Sequence, residues 1–247
     1  MSDTDSLFDP GNRLIAALDV ATEAQADDLI TALAGVPSFV KLGLELFCGC
    51  GPVLVQRLVA ARLRVMLDLK LHDIPETVAR TTSQLAALGV ELCTVHASSA
   101  AMLRGAVQAA RRGTAPGRPP MRILAVTVLT SMSEADLVES GTIGSTIADV
   151  VRARAMLAVA TGCDGIVASA HEVTMLRGVV PSDFLLVTPG IRPAGVAAGD
   201  QHRVMTPGAA MAAGADLIVV GRPLRDAADP ATAARAIVAE MRTIPRD

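Results

Sequence analysis

Eight short runs dominated by Val, Ile and Leu recur along the chain, with helix-like stretches between them. This alternation constrains the fold more than any other feature of the sequence. The runs are Arg13–Val20, Phe39–Gly43, Val65–Lys70, Leu92–His96, Ile123–Thr127, Gly165–Ala168, Phe184–Thr188 and Leu217–Gly221. Many are apolar at successive positions, as expected of parallel strands covered by helices. The connections carry helix signals. Thr22 followed by Gln25 reads as a capping box before Glu23–Leu33. Pro52 suits the first turn of Val53–Ala61, and Pro75 that of Glu76–Leu88. Gly89 and Gly162 are placed to stop helices, and Ser145–Thr161 and Ala231–Met241 read as long ones. The Gly/Pro/Arg stretch Gly113–Pro120 separates two βα units rather than two domains, because the pattern resumes after it.

Eight βα units with no sequence-level repeat predict an α/β fold, a single closed (β/α)8 barrel of the TIM type, over residues 13–247. A polar segment, 1–12, precedes it. A doubly wound open sheet is the alternative. It has less support, because Leu18-Asp19-Val20-Ala21 stands where a Gly-rich nucleotide fingerprint would follow the first strand, and no Gly-Lys-Ser/Thr occurs.

Composition narrows the function. The net charge is −3 and the four aromatic residues are all Phe. Such a chain lacks both the basic surface and the stacking platforms of a nucleic-acid binder. No apolar run reaches the roughly 18 residues of a membrane helix, and residues 1–12 lack the pattern of a signal peptide. Four cysteines in 247 residues do not make a disulfide framework, so a reducing cytoplasm is the expected compartment. One count is lopsided: of 22 basic residues only Lys41 and Lys70 are lysines. Arg stays protonated, whereas Lys can deliver a proton, so the two lysines are the first functional candidates.

In a barrel, functional groups sit where strands end and βα loops begin. Those positions hold Asp19, Lys41, Asp68, Lys70 and His96. Residues i and i+2 of a strand share a face, which would turn Met66, Asp68 and Lys70 toward the interior. Charges there are costly unless paired. Two carboxylates and two ammoniums can neutralise each other as a structural network. Four together on the rim, with both lysines among them, read better as a site. Asp73 completes Asp68-x-Lys70-x-x-Asp73, but with Pro75 and Glu76 it also reads as an ordinary helix N-terminus.

The second half offers anion chemistry. Thr188-Pro-Gly-Ile-Arg192 follows the seventh run, and Gly221-Arg222 ends the eighth and opens a helix. These are the loops where barrels commonly bind phosphate. Arg192 and Arg222 can grip a dianion in bidentate fashion. Arg192–Asp200, with Gly195 and Gly199, reads as a lid, and Gln201 follows it. Weaker candidates are Cys48-Gly-Cys50-Gly, which lacks a second ligand pair, and His171-Glu172, which lacks the second His of a zincin helix. His72 would face away from Lys70, and His96 reads as a supporting or simply satisfied histidine.

Taken in order, these segments resemble the orotidine 5'-phosphate decarboxylase family. The resemblance rests above all on Leu67-Asp-Leu-Lys70-Leu-His-Asp73-Ile-Pro-Glu-Thr77. Ile15–Asp19, Phe39–Gly43, Val126–Ser131, Val187–Arg192 and Val220–Arg222 also look like family segments. The resemblance implies a homodimer that converts orotidine 5'-phosphate to UMP and CO2, the last step of UMP biosynthesis, with no metal and no organic cofactor. It implies that Lys70 donates the proton to pyrimidine C6 and that Asp68 lies beside the substrate carboxylate. Asp73 and Thr77 would reach into the neighbouring subunit's site. Lys41 and Asp19 would hold the ribose hydroxyls and the charge network, and Thr130 and Ser131 would contact the pyrimidine. Gln201, Gly221 and Arg222 would hold the phosphate, with Arg192 nearby. Two other readings stand beside it. One is a metal-dependent sugar-phosphate decarboxylase or aldolase, since related barrels share Asp-x-Lys-x-x-Asp. The other is a nucleotide-binding sensor without turnover.

Overall fold

The structure, a computed structural model, describes residues 10–193 and 205–242. Eight parallel strands close into one barrel in chain order: β1 (Leu14–Leu18), β2 (Phe39–Gly43), β3 (Arg64–Leu71), β4 (Leu92–His96), β5 (Arg122–Val126), β6 (Gly165–Val167), β7 (Leu185–Thr188) and β8 (Leu217–Val220). β1 pairs with both β2 and β8, which completes the ring. No helix of the described residues is long and apolar enough to cross a membrane.

The helices follow from local chemistry. Thr22 Oγ1 accepts from the Gln25 amide, and the Gln25 side chain accepts from the Thr22 amide, so the helix Glu23–Ala32 starts with a reciprocal cap. Pro75 opens Pro75–Ala87. Gly89 and Gly162, at φ +81° and +78°, supply the left-handed residues after two helix ends. One helical region is longer than its sequence signals. Leu44–Ala60 consists of two helical arms joined at a kink at the non-helical Gly51 (φ +66°), with Pro52 starting the second arm. The Cys-Gly-Cys-Gly run hid the first arm, because its glycines disfavour helix. A further short helix, Glu134–Glu139, begins with a Ser133–Asp136 capping box.

The core has two layers. Ile15, Phe39, Met66, Leu92, Leu124 and Leu217 pack inside the barrel. Their strand neighbours Leu14, Leu18, Val40, Leu42 and Leu67 pack outward under the helices. Each fully buried aliphatic or Phe side chain contributes about 1.5–3 kcal/mol. Successive inward positions then change character toward the C-terminal rim. β1 leads from Ile15 and Ala17 toward Asp19, β2 from Phe39 to Lys41, β3 from Met66 to Asp68, and β4 from Leu92 toward Thr94 and His96. The apolar floor excludes water below a polar rim.

Candidate active site

The rim opens into a cavity of about 920 Å³. Asp19, Lys41, Asp68, Lys70 and His96 line one side, Thr130 and Ser131 a second, and Arg192, Gly221, Arg222 and Arg225 a third.

The charged side chains form a chain of contacts. Lys70 Nζ donates to Asp68 Oδ2 at 2.8 Å, and Lys41 Nζ lies 3.6 Å from the same oxygen. Lys41 Nζ also donates to Asp19 Oδ1 at 2.8 Å. Thr94 Oγ1 donates to Asp68 Oδ1 at 3.0 Å and accepts from the Lys70 amide at 2.9 Å. Burial by itself would raise the Asp68 carboxyl. The ammoniums of Lys41 and Lys70, with the Lys70 and Thr94 hydrogen bonds, outweigh burial and hold it below the ordinary carboxylate value. Asp68 is therefore anionic at neutral pH. Glycines leave room for this array. A Cβ on Gly43 would stand 3.4 Å from both Asp19 Oδ1 and Lys41 Nζ, and one on Gly221 3.3 Å from Asp19 Oδ2.

Asp68 and Lys70 do meet, but not by simple strand alternation. The β3–β4 register shifts between Leu67 and Leu71, and Lys70 takes a left-handed φ of +49°. The extra residues bulge β3 at the rim. The bulge turns the Lys70 amide onto Thr94 while its ammonium stays on Asp68. A non-glycine residue held there marks stored strain at a site. Thr94 is the contributor the sequence did not single out. Its signal was a polar residue at an inward position of an otherwise apolar strand.

His96 is pushed below its ordinary value by burial, then by His72, Arg154 and Lys70, so it is neutral at pH 7. The His72 and His96 rings lie 5.4 Å apart, centre to centre. The anion side is built differently. Arg192 is buried, donates from Nη1 to the Ile191 carbonyl, and pairs its own amide with Met205 across the bridge from Ile191. Arg222 opens the short helix Arg222–Arg225 directly after Gly221. Arg225, also unforeseen, donates from Nη1 to the Asp19 carbonyl at 3.0 Å and ties this side to the charge cluster.

Asp73 and Thr77 are exposed and do not line the cavity of their own chain. Asp73 is not the helix cap. The cap is Ile74, whose amide donates to Asp73 Oδ1 at 2.6 Å. Gln201, Gly195 and Gly199 lie outside the described residues. Cys48 and Cys50 are free thiols, and among the described residues no group of three His, Cys, Asp or Glu side chains is placed to hold a metal ion.

Fold and rim together define a class: a (β/α)8 barrel enzyme in which a lysine–carboxylate chain faces an arginine-bearing anion end across one cavity. Comparison with known proteins narrows it. The model of the orotidine 5'-phosphate decarboxylase / HUMPS family matches residues 12–237, and the chain belongs to that family. An orotidine 5'-phosphate decarboxylase of Anaeromyxobacter sp. (strain K) is 53% identical over 94% of this chain and 99% of its own. That of Methylobacterium sp. (strain 4-46) is 50% identical over 94% and 96%. The crystal structure of the orotidine 5'-phosphate decarboxylase from Lactobacillus acidophilus superposes with a TM-score of 0.84 at 38% identity, covering 92% of this chain and 98% of that one.

Proposed function

We propose that this chain is a carboxy-lyase that converts orotidine 5'-phosphate to UMP and CO2 in pyrimidine biosynthesis, with Lys70 as proton donor. The observation that carries the reading is the Lys70–Asp68–Lys41–Asp19 chain at the cavity wall. Loss of CO2 leaves an electron pair on pyrimidine C6. A fixed cation next to that carbon stabilises the developing charge, and a cation that is also an acid quenches it. Lys70 supplies both, and Asp68 fixes the ammonium before substrate arrives. Asp68 also sets a negative charge beside the substrate carboxylate. At 4 Å and an effective dielectric of 20 the repulsion is about 4 kcal/mol, and it disappears as neutral CO2 leaves.

Lys41 and Asp19 hold the ribose hydroxyls, and Thr130 and Ser131 contact the pyrimidine. Arg222, the Gly221 backbone and Gln201 hold the phosphate, with Arg192 beside them. Phosphate binding far from C6 supplies energy that organises the reacting end. The active form is a homodimer in which Asp73 and Thr77 complete the neighbouring site. Both are exposed and outside the lining of their own cavity, and Ile74 between them leaves 66% of its surface bare, as an interface residue would in the isolated chain. Four free thiols suit a reducing cytoplasm.

The test is to incubate the pure protein with orotidine 5'-phosphate in excess EDTA and follow UMP and CO2. Turnover is expected to survive. Its absence would overturn the reading, and activity that returned only with Mg²⁺ on a sugar phosphate would assign the metal-dependent chemistry instead.

A further inference from the structure

The opposite end of the barrel carries a second depression, of about 370 Å³, which decarboxylation does not use. It lies where the chain enters β3, β4 and β5. Arg62, Arg64, Arg118 and Arg122 line it, and Glu91 is the one carboxylate among its lining residues. Arg64 and Glu91 satisfy each other through two bonds of 2.7 Å, and the Arg64 guanidinium stacks 4.2 Å above Phe39, closing the barrel floor. Arg122 is shared with the neighbouring depression that holds Asp164, whose carboxylate it stabilises. Arg62 and Arg118 line the opening with no second carboxylate among its lining residues, in a chain whose net charge is −3.

Two local features concentrate that charge. Arg62 follows the helix Leu44–Ala60 with φ +64°, a left-handed position that glycine occupies at least cost. Arg118 belongs to the Gly/Pro/Arg stretch Gly113–Pro120. Its guanidinium lies across Gly89, where any Cβ would collide with it. A left-handed backbone position carries one arginine to this opening, and a glycine leaves room for the guanidinium of the other.

We propose that the depression binds a small, multiply charged phosphate anion, either free pyrophosphate or the phosphate chain of a nucleoside triphosphate. Planar guanidinium forks bind phosphate oxygens in pairs, and two such forks on one opening favour a polyanion over a single carboxylate. The volume lies within the range of small-ligand sites. Since the depression sits at the far end of the barrel from Lys70, its ligand acts on stability by mass action and leaves turnover unchanged.

The test is calorimetric titration with inorganic pyrophosphate, alongside melting curves, on protein saturated with UMP so that the rim's own phosphate locus is filled. The wild type is expected to bind, and its Tm to climb with pyrophosphate concentration. Arg62→Gly combined with Arg118→Ala is expected to weaken binding by roughly tenfold or more while keeping wild-type turnover. Arg62→Gly relieves the positive φ, so the variant should fold. Should UMP fail to bind, the comparison of wild type with variant still locates the anion. Equal pyrophosphate affinity in the two proteins, or no binding at millimolar concentration, would overturn the proposal. Tighter binding of a nucleoside triphosphate than of pyrophosphate would identify the ligand as a nucleotide, and equal affinity as free polyphosphate.

Discussion

The β1–β4 side of the rim and the β7–β8 side face the same cavity but are organised in different ways. On the first side, lysines and carboxylates interlock at 2.8 Å, and one partly buried carboxylate serves two ammoniums. On the second, arginines follow a glycine at a helix start or sit beside a backbone carbonyl on a loop, and none is on a strand. The first arrangement is a preorganised field, fixed before any ligand arrives. The second is a grip, suited to an anion that brings its own charge. Under the proposed mechanism these are the reacting end and the holding end, and substitutions in them should act on different kinetic constants.

The largest effect is expected from Lys70→Ala. It should lower kcat by roughly 10⁴-fold, the upper range for a lost general acid, and leave UMP affinity within a few-fold. Steady-state kinetics with a UMP titration checks it, and near-normal kcat would remove Lys70 from its role. Arg222→Ala should do the opposite, raising KM and the UMP Kd by about 10- to 100-fold, as for a lost charge-assisted pair, with a smaller change in kcat. A large kcat loss with normal KM would erase the distinction between the two ends.

Thr94→Val probes the support under the reacting end. It removes a donor to Asp68 and an acceptor for the Lys70 amide, so stability should fall by about 1–3 kcal/mol. The kcat should fall more than KM rises, a split that mere destabilisation would not produce. The smallest effect concerns pH. The His96 imidazole sits below 6.5 in the folded chain. As pH falls through 6.5 the unfolded chain takes up a proton that the folded chain resists, so stability declines until the lower folded value is passed. His96→Asn should flatten that decline in urea midpoints measured across the acid range. The Asp68 contribution persists below it and is lost only as pH falls from 3.8 through that group's depressed value.

Much of the reacting end was legible because its residues are close in sequence. Asp68 and Lys70 share one strand, and Lys41 was conspicuous as the other lysine of the chain. Thr94 and Arg225 escaped notice because a single threonine in a mostly apolar strand is a faint local mark and an arginine after a turn is none. Their meaning depends on neighbours 26 and 206 residues away. Strand alternation paired Asp68 with Lys70 but missed the bulge, because register against β4 is not written in β3 itself.

By itself, the sequence determined the alternation of strands and helices, the apolar inner positions and the run of charges that ends β3. Those follow from periodicity and side-chain type, which are local. Only the tertiary structure decided that Lys41, from β2, reaches both Asp19 and Asp68, and that Thr94 braces the left-handed turn at Lys70. Closing the ring sets which strands adjoin, and the burial of Lys41 then makes its charge depend on carboxylates that the chain brings in from the ends of β1 and β3.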